Sequence, residues 1–474
     1  MSDEENAPKR PKLSHREEPD GNLVAIAGPS NEQSLPLPKP QIFKLVIDCF
    51  DEIFEYLSLK DLHSFGQTCK TMQKVAGEYF KRNYSAAETH IKNGGIDTVY
   101  PDYKHSINGH TSTTAFTQFI TSITQSSNEL KPLRYIRRNI REFDSVYKIC
   151  FSGLTLNEEK SELIKKIWPK IETISIKNCW LRGDLHNNVL THCDNLKHLL
   201  IQQTRSRYLF RLEQNIRVPW LHRTYPKLEH LEVIPAPSVK TLELFFQNNP
   251  SVRILSTNSP SIYTRVGLMK TNIQLDLLEV KDAHGFRPIP KTFGDVLKKL
   301  YDRGFYKRLH FFTYDIDKDH SNLLTSLPVL EKLCIRNWTE CHSLTRLTNL
   351  KELAILDGAK SNDMEMMANS LVSLQRVYIG NATIDDILPF IRLAPKVTKI
   401  KVIPKGEAHF NGGLLKLNTL NKERGKLFEA QKVTIFVPDS IFLKTKWTTE
   451  HGNTNFKLIK IKRSDSYDWN QHYF

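Results

Sequence analysis

The chain has 474 residues, 67 Lys and Arg against 52 Asp and Glu, a formal net charge of +15 at pH 7 and a hydrophobic content of 39%. That length exceeds one ordinary domain of roughly 100–200 residues unless the chain is a repeat array. It holds no uninterrupted apolar run long enough for a transmembrane helix and no apolar segment of a secretory signal near residue 1, and its scattered cysteines without a Cys-x-x-Cys pair fit a reduced, intracellular compartment, nuclear or cytoplasmic, better than a disulfide framework.

Residues 1–40 are rich in Pro, Ser, Asn and Glu and read as a disordered tail, since such a composition buries too little apolar surface to offset chain entropy. The tail holds seven acids and five bases, so its net charge is −2 and the remainder of the chain carries +17. Pro8-Lys9-Arg10-Pro11-Lys12 is either a solvated basic cluster or a nuclear localisation signal built on Lys9, Arg10 and Lys12. A basic surface calls for acidic partners in general: nucleic acid, anionic lipid, or acidic or phosphorylated protein.

From Leu45 the pattern changes. Leu45, Cys49, Ile53, Phe54 and Leu57 recur at helical spacing, with Phe50 added to the same face. Ser58 to Asp61 interrupts the helix, and Asp61 is placed to cap a second one carrying Leu62, Phe65, Cys69, Met72 and Val75. A third short segment covers 78–84. Three short helices in so few residues make a marginal unit that needs a partner or the domain that follows.

The run Leu45 to Leu62, followed by Thr68-Cys69-Lys70, resembles an F-box. The family pattern places Leu-Pro-x-Glu, two apolar residues and Ile-Phe-x-x-Leu before an Asp-Leu pair and a later Cys-Lys-x-Trp. Leu45, Ile53, Phe54, Leu57, Asp61, Leu62, Cys69 and Lys70 match it; Val46 stands where the family usually has Pro, and Met72 where it often has Trp. The resemblance implies that residues 41–85 form a three-helix module that docks on a small adaptor bound to a cullin. It implies an apolar docking surface of Leu45, Val46, Ile53, Phe54, Leu57, Leu59 and Leu62. The missing Pro would weaken that contact.

Residues 86–143 read as a linker or irregular capping region. From 144 to 437 the template apolar-x-x-apolar-x-apolar recurs twelve times, from Val146/Ile149/Phe151 and Ile171/Ile174/Ile176 to Val397/Ile400/Val402 and Ala430/Val433/Ile435, with successive starts 20 to 33 residues apart. Pro169, Pro226, Pro250, Pro328 and Pro395 each stand two residues before the first apolar position, where proline ends a helix and leads into a strand. Apolar segments at helical spacing lie between, such as Phe293/Val296/Leu297/Leu300. Strand plus helix at roughly this period predicts an α/β leucine-rich-repeat solenoid, a horseshoe with parallel strands along its concave side, closed by a C-terminal cap or tail over 438–474. Such degenerate repeats resemble those that often follow an F-box.

Template positions three, five and seven should face outward. Over the twelve repeats they hold ten bases and three acids. The candidate target-binding residues on this face are Arg308, Phe312, Lys332, Arg336, Trp338, Arg376, Tyr378, Lys399 and Lys401. The alternative is an ordinary solvated strand face in a basic protein.

No nucleotide-loop, zinc-protease or serine-hydrolase motif occurs, and His186, His192, Cys193 and His198 follow no zinc spacing. The sequence therefore implies no catalytic residue, metal or cofactor. The expected function is a non-catalytic substrate receptor of a cullin-based, SCF-type ubiquitin ligase, with the adaptor and cullin at one end and an acidic or phosphorylated protein at the other. The alternative is a scaffold that binds nucleic acid or acidic nuclear proteins, although no nucleic-acid module is recognisable and no membrane contact is expected.

Overall fold

The computed structural model describes Ile42, residues 45–85 and most of the chain from 88 to 463; residues 1–41, 100–109, 203–218, 282–292, 316–321, 405–413 and 464–474 are the longest stretches outside the description. The tail with Lys9, Arg10 and Lys12 lies outside the described residues. The backbone separates into two compact units, Met1–Leu45 and Val46–Phe474. The second carries every helix and strand named below.

Three helices come first: α1 (Ile47–Glu55), α2 (Leu59–Gly66) and α3 (Lys70–Asn83). Phe50 and Phe54, four apart on α1, face inward. The Phe54 ring meets Phe65 edge-on at 5.3 Å and Tyr79 at 5.4 Å. The helix break falls where expected, but Asp61 is not the cap. Ser58 is: its hydroxyl accepts the Asp61 N–H and donates to the Asp61 carboxylate at 2.6 Å. A Ser three residues before an Asp satisfies the first-turn donors and starts the helix at Leu59.

One large sheet follows. A short antiparallel run, β1 (Glu88–Lys92), β2 (Gly95–Val99) and β3 (His110–Ser112), flanks it. Then comes a run in which each strand pairs in parallel with the next: β4 (Ser122–Gln125), which also pairs in parallel with β1, β5 (Lys148–Ser152), β6 (Thr173–Lys177), β7 (His198–Gln202) and β8 (His230–Ile234), while the short strands Thr155–Leu156 and Trp180–Leu181 form a separate parallel pair. The run continues through β9 (Ile254–Thr257), β10 (Leu275–Lys281), β11 (Tyr306–Asp315), β12 (Leu330–Asn337) and β13 (Glu352–Asp357). It ends with β14 (Arg376–Ala382), β15 (Lys399–Pro404), β16 (Val433–Val437) and β17 (Ile459–Arg463).

The helices between strands are α4 (Lys131–Arg138), α5 (Glu158–Leu163), α6 (Leu185–Asn188), α7 (Val239–Asn248) and α8 (Ser259–Tyr263). Then come α9 (Phe293–Asp302), α10 (Ser361–Ser370), α11 (Ile384–Leu393), α12 (Leu417–Gly425) and α13 (Asp439–Thr448). The template apolars stack in register, Ile149 on Ile174 on Leu199 on Leu231 on Leu255 on Leu278, and all are buried on the helix side of the sheet. Each strand thus buries an apolar row that only its neighbours and helices can cover.

The parallel run is longer than 144–437. It begins at β4, where Ile120/Ile123/Gln125 ends on a polar residue and breaks the apolar template. It ends at β17, where Phe456/Ile459/Ile461 keeps the template.

Both ends of the run meet the helical module. At the start, Gln73 of α3 donates to the Ala115 carbonyl at 2.7 Å, His63 of α2 accepts the Ala115 N–H at 3.1 Å, and Phe80 stacks on Phe116 at 5.1 Å. At the finish, the Tyr84 hydroxyl, one residue past α3, lies 3.3 Å from Asp439 and 2.8 Å from Arg463. Fourteen parallel strands laid flat would span roughly 60 Å, whereas α3 is about 21 Å long. The sheet therefore curls until its first and last described strands flank the same three helices, without closing into a barrel.

Candidate functional site

The first candidate surface lies on α1. Val46 and Ile47 are 63% and 64% exposed, and Ile53 is 39% exposed. Leu45, 39% exposed, ends the preceding unit, and Leu57 is half-buried. Phe54, Leu59 and Leu62 correct the expectation: all three are buried in the module's own core, so they hold the helices together rather than face a partner. Helical spacing alone placed Ile53 and Phe54 on one face, but the bulkier Phe54 turns toward α3 and leaves Ile53 outside. The outward stripe on and beside α1 is Val46, Cys49, Ile53 and Tyr56, at intervals of three, four and three.

The orientation of α1 is fixed from the far end of the chain. The Lys446 ammonium, buried on α13, donates to Glu52 at 2.9 Å and to Glu55, and lies 4.6 Å from the Tyr56 ring centre. Burial pushes that ammonium down in pKa, yet the hydrogen bonds to Glu55 and Glu52 outweigh it and the net direction is upward. Arg463 on β17 is buried as well. Its guanidinium donates to the carbonyls of Phe54, Glu55 (3.1 Å) and Leu57 (2.9 Å), binds the Tyr84 hydroxyl, and pairs with Asp439. Those carbonyls belong to the last turn of α1 and just beyond, where a helix lacks internal partners and presents the negative end of its dipole.

The second candidate surface is the sheet face opposite the main core. Its registers align residues into rows. One row runs Ser175, Leu200, Glu232, Ser256, Glu279, His310, Lys332, Glu352, Arg376, Lys399, Thr434, Lys460. The next runs Lys281, Phe312, Cys334, Ala354, Tyr378, Lys401, Phe436, Lys462. This face is not a uniform field of free bases. Lys281 is buried and bonded to Glu232; Lys332 is buried, 2.7 Å from Glu352 and 5.6 Å from the Phe312 ring centre. Arg376 reaches Glu352 at 3.3 Å. Burial pushes the Glu279 carboxyl up, but the hydrogen bond with His310 and the charges of Lys281 and His230 prevail and hold it below the usual carboxylate range.

Several expected binding residues are thereby reassigned. Lys332 and Phe312 are buried parts of the face: Phe312, Cys334 and Ala354 form a small apolar cluster of their own, with Tyr378 packed against it. Lys401 is buried over the Tyr378 ring at 5.5 Å. Arg308, exposed, lies 3.9 Å from Glu331, and Arg336, exposed, lies 5.2 Å from the Tyr314 ring centre. Trp338 lies outside the described residues. Alternation along a strand identifies the face but not how tightly in-register neighbours shield one another, which is why buried and exposed cations could not be told apart.

All three acids on the face, Glu232, Glu279 and Glu352, lie on or before β13. Beyond it, Arg376, Lys399, Lys401, Lys460 and Lys462 follow in two adjacent rows with no carboxylate among the row members. Burial and the charges of Arg376 and Lys462 push Lys399 down in pKa; burial and Lys460 do the same to Lys462. Burial is the larger cause for both, and the neighbouring cations add to it. Lys460 and Lys462 were not anticipated, because the template at Phe456/Ile459/Ile461 was assigned to the tail.

His230, Glu232 and Glu279 bring potential ligand atoms within 4.8 Å of one another. Lys281 already supplies a cation to Glu232, and Ser256 donates to Glu279 at 2.5 Å, so the arrangement is a satisfied polar network. His198 sits on the same face with its imidazole pushed down in pKa by burial. No described helix is long and apolar enough to cross a membrane.

Comparison with the curated proteins gives no match. Residues 42–80, which span α1, α2 and most of α3, match the F-box domain family. The chain therefore carries an F-box domain, the adaptor-docking module of SCF-type ubiquitin ligases.

Proposed function

We propose that the protein is a non-catalytic substrate receptor of an SCF-type ubiquitin ligase, whose F-box docks the small adaptor and cullin and whose sheet face holds an acidic or phosphorylated protein. The observation that carries this reading is the F-box match together with the exposed Val46–Cys49–Ile53 stripe on α1. The in-order parallel strands, buried template apolars and intervening helices support reading residues beyond the F-box as a leucine-rich-repeat solenoid. In that reading the cationic rows of β14, β15 and β17 lie on the concave face. They suit carboxylate or phosphate, and Arg376 can bind either bidentately. Bringing a target lysine beside a loaded thioester raises its effective concentration, which accelerates transfer without any catalytic side chain here. In this reading the protein acts in the nucleus or cytoplasm.

Two experiments test the two ends separately. Ile53→Glu places a charge in the α1 stripe, and co-purification of adaptor and cullin should fall at least about 30-fold, as expected for an unpaired charge at an interface centre. Retention at wild-type level would remove the docking assignment. At the other end, a Lys460→Glu, Lys462→Glu variant should lose captured acidic proteins in affinity purification under proteasome inhibition while keeping the adaptor. If the capture profile is unchanged and instead wild type binds nucleic acid with a steep salt dependence, the scaffold alternative replaces the receptor reading.

A further inference from the structure

We infer that the adaptor-docking surface is composite, and that Trp447 of the C-terminal helix α13 supplies its second part. The inference rests on the F-box docking reading above and adds a residue nearly 400 positions away from α1 in sequence.

The apolar stripe Val46, Cys49, Ile53, Tyr56 does not stop where α1 stops. Its last member, Tyr56, meets the Trp447 indole edge-on with ring centres 4.9 Å apart. Trp447 is 67% exposed. An indole normally buries most of its surface, so one left open beside an exposed aliphatic stripe marks a contact site. The position of the ring is imposed rather than incidental. The preceding residue, Lys446, is buried and bound to Glu52 and Glu55 of α1. On the other side, Gly452 approaches the Tyr56 hydroxyl so closely, at φ +61°, that a Cβ there would clash with it. Two fixed points, one on each side of Trp447 in sequence, thus hold the end of α13 against the end of α1.

The occupant is the adaptor. The indole touches the last member of the F-box stripe, so a partner seated on Val46 and Ile53 that reaches Tyr56 also reaches Trp447. Tryptophan is also the residue type most enriched where interface energy concentrates. Phe428, in the turn after α12, is more exposed still at 84%, but nothing joins it to the stripe, and it serves as a control. A two-part surface has a consequence for the ligase: the adaptor touches both the F-box and the last helix before β17, which fixes the angle between adaptor and target-binding face.

The test measures the affinity of the purified full chain for the purified F-box-binding adaptor by calorimetry. Trp447→Ala should weaken binding by about tenfold or more, the range of a moderate interface anchor, with an unchanged thermal midpoint. Trp447→Phe should recover most of the loss, and Phe428→Ala should bind like wild type. Hydrogen exchange on the wild-type chain gives a second readout: amides of α13 should gain protection when the adaptor is added. If Trp447→Ala binds within twofold of wild type and α13 gains no protection, while Ile53→Glu abolishes binding, the composite surface is refuted and F-box docking stands. If Ile53→Glu also binds normally, the docking reading itself fails and takes this inference with it.

Discussion

Replacing Arg463 by Met is expected to cost about 3–5 kcal/mol, the range measured when one partner of a buried charged network is removed. The residue is 2% exposed and reaches three places at once: the Phe54, Glu55 and Leu57 carbonyls at the end of α1, the Tyr84 hydroxyl just past α3, and Asp439 at the start of α13. Phe442 covers it, with the guanidinium carbon 4.6 Å from the ring centre. Methionine of similar length fills the space but satisfies none of these groups. Asp439 becomes a largely shielded carboxylate without its cation, and three carbonyls lose a charged donor. Arg463 is also the strap between the end of the sheet and the F-box, so the loss should be uneven. Urea unfolding should split into two steps, and limited proteolysis should cut near residues 84–88 before the strands are attacked. A single transition with the wild-type midpoint would show that the contacts at Gln73, His63 and Phe80 alone hold the module.

The second large effect is expected at Arg424 in α12, which is fully buried and donates to no carboxylate among the hydrogen bonds described. Its guanidinium donates to the carbonyls of Phe390, Ile391, Ala394, Pro395, Val397 and Gln431. Five of these lie at the end of α11 and in the turn leading to β15, and Gln431 lies just before β16; the Ala394 and Pro395 carbonyls also accept backbone N–H groups, from Val397 and Gln431, at 3.2 Å. Burial pushes the guanidinium down to about 10, which still leaves it charged at neutral pH. Arg424→Met should lower stability by at least about 3 kcal/mol, since each orphaned buried acceptor carries a desolvation cost of roughly 1–3 kcal/mol. Arg424→Lys is the sharper variant: an ammonium has three donors and no planar fork, so it should recover less than half of the loss. Full recovery by Lys, read from urea midpoints, would mean that charge and not geometry is what this turn requires. The expected pH trend follows from the sign of the shift: the folded value lies below the unfolded one, so any penalty from burying the charge persists below pH 10 and is relieved only above it.

Much of this architecture is written locally. The 3–4 spacing of Phe50, Phe54 and Leu57 makes a helix whatever follows it, and Ser58 before Asp61 starts the next. The triplet of apolar residues in each strand, preceded in five cases by Pro, sets strand position and the buried side, because alternation gives a strand two faces and only one of them is apolar. The F-box resemblance and the family match both rest on residues within forty positions of one another.

What only the tertiary structure decided involves partners distant in sequence. No local pattern says that Arg463 and Lys446 close on α1, 408 and 394 residues upstream, since a buried Arg and an exposed Arg look alike in a list of bases. The same holds for the ten outward bases. Alternation placed Lys281, Lys332 and Lys401 on a face, but parallel registry sets Glu232, Glu352, Phe312 and Tyr378 beside them and buries them, whereas Arg376, Lys399, Lys460 and Lys462 stay at least partly exposed. Exposure and charge balance are properties of neighbours, and in a curled sheet the neighbours come from the next strand and, at its ends, from the opposite end of the chain. Thus length, charge and period sufficed to determine a helical module followed by strand-and-helix repeats, whereas which cations are buried and which stay exposed was decided by registry, and which residues close on α1 was decided by the curl that brings both ends of the sheet to the same three helices.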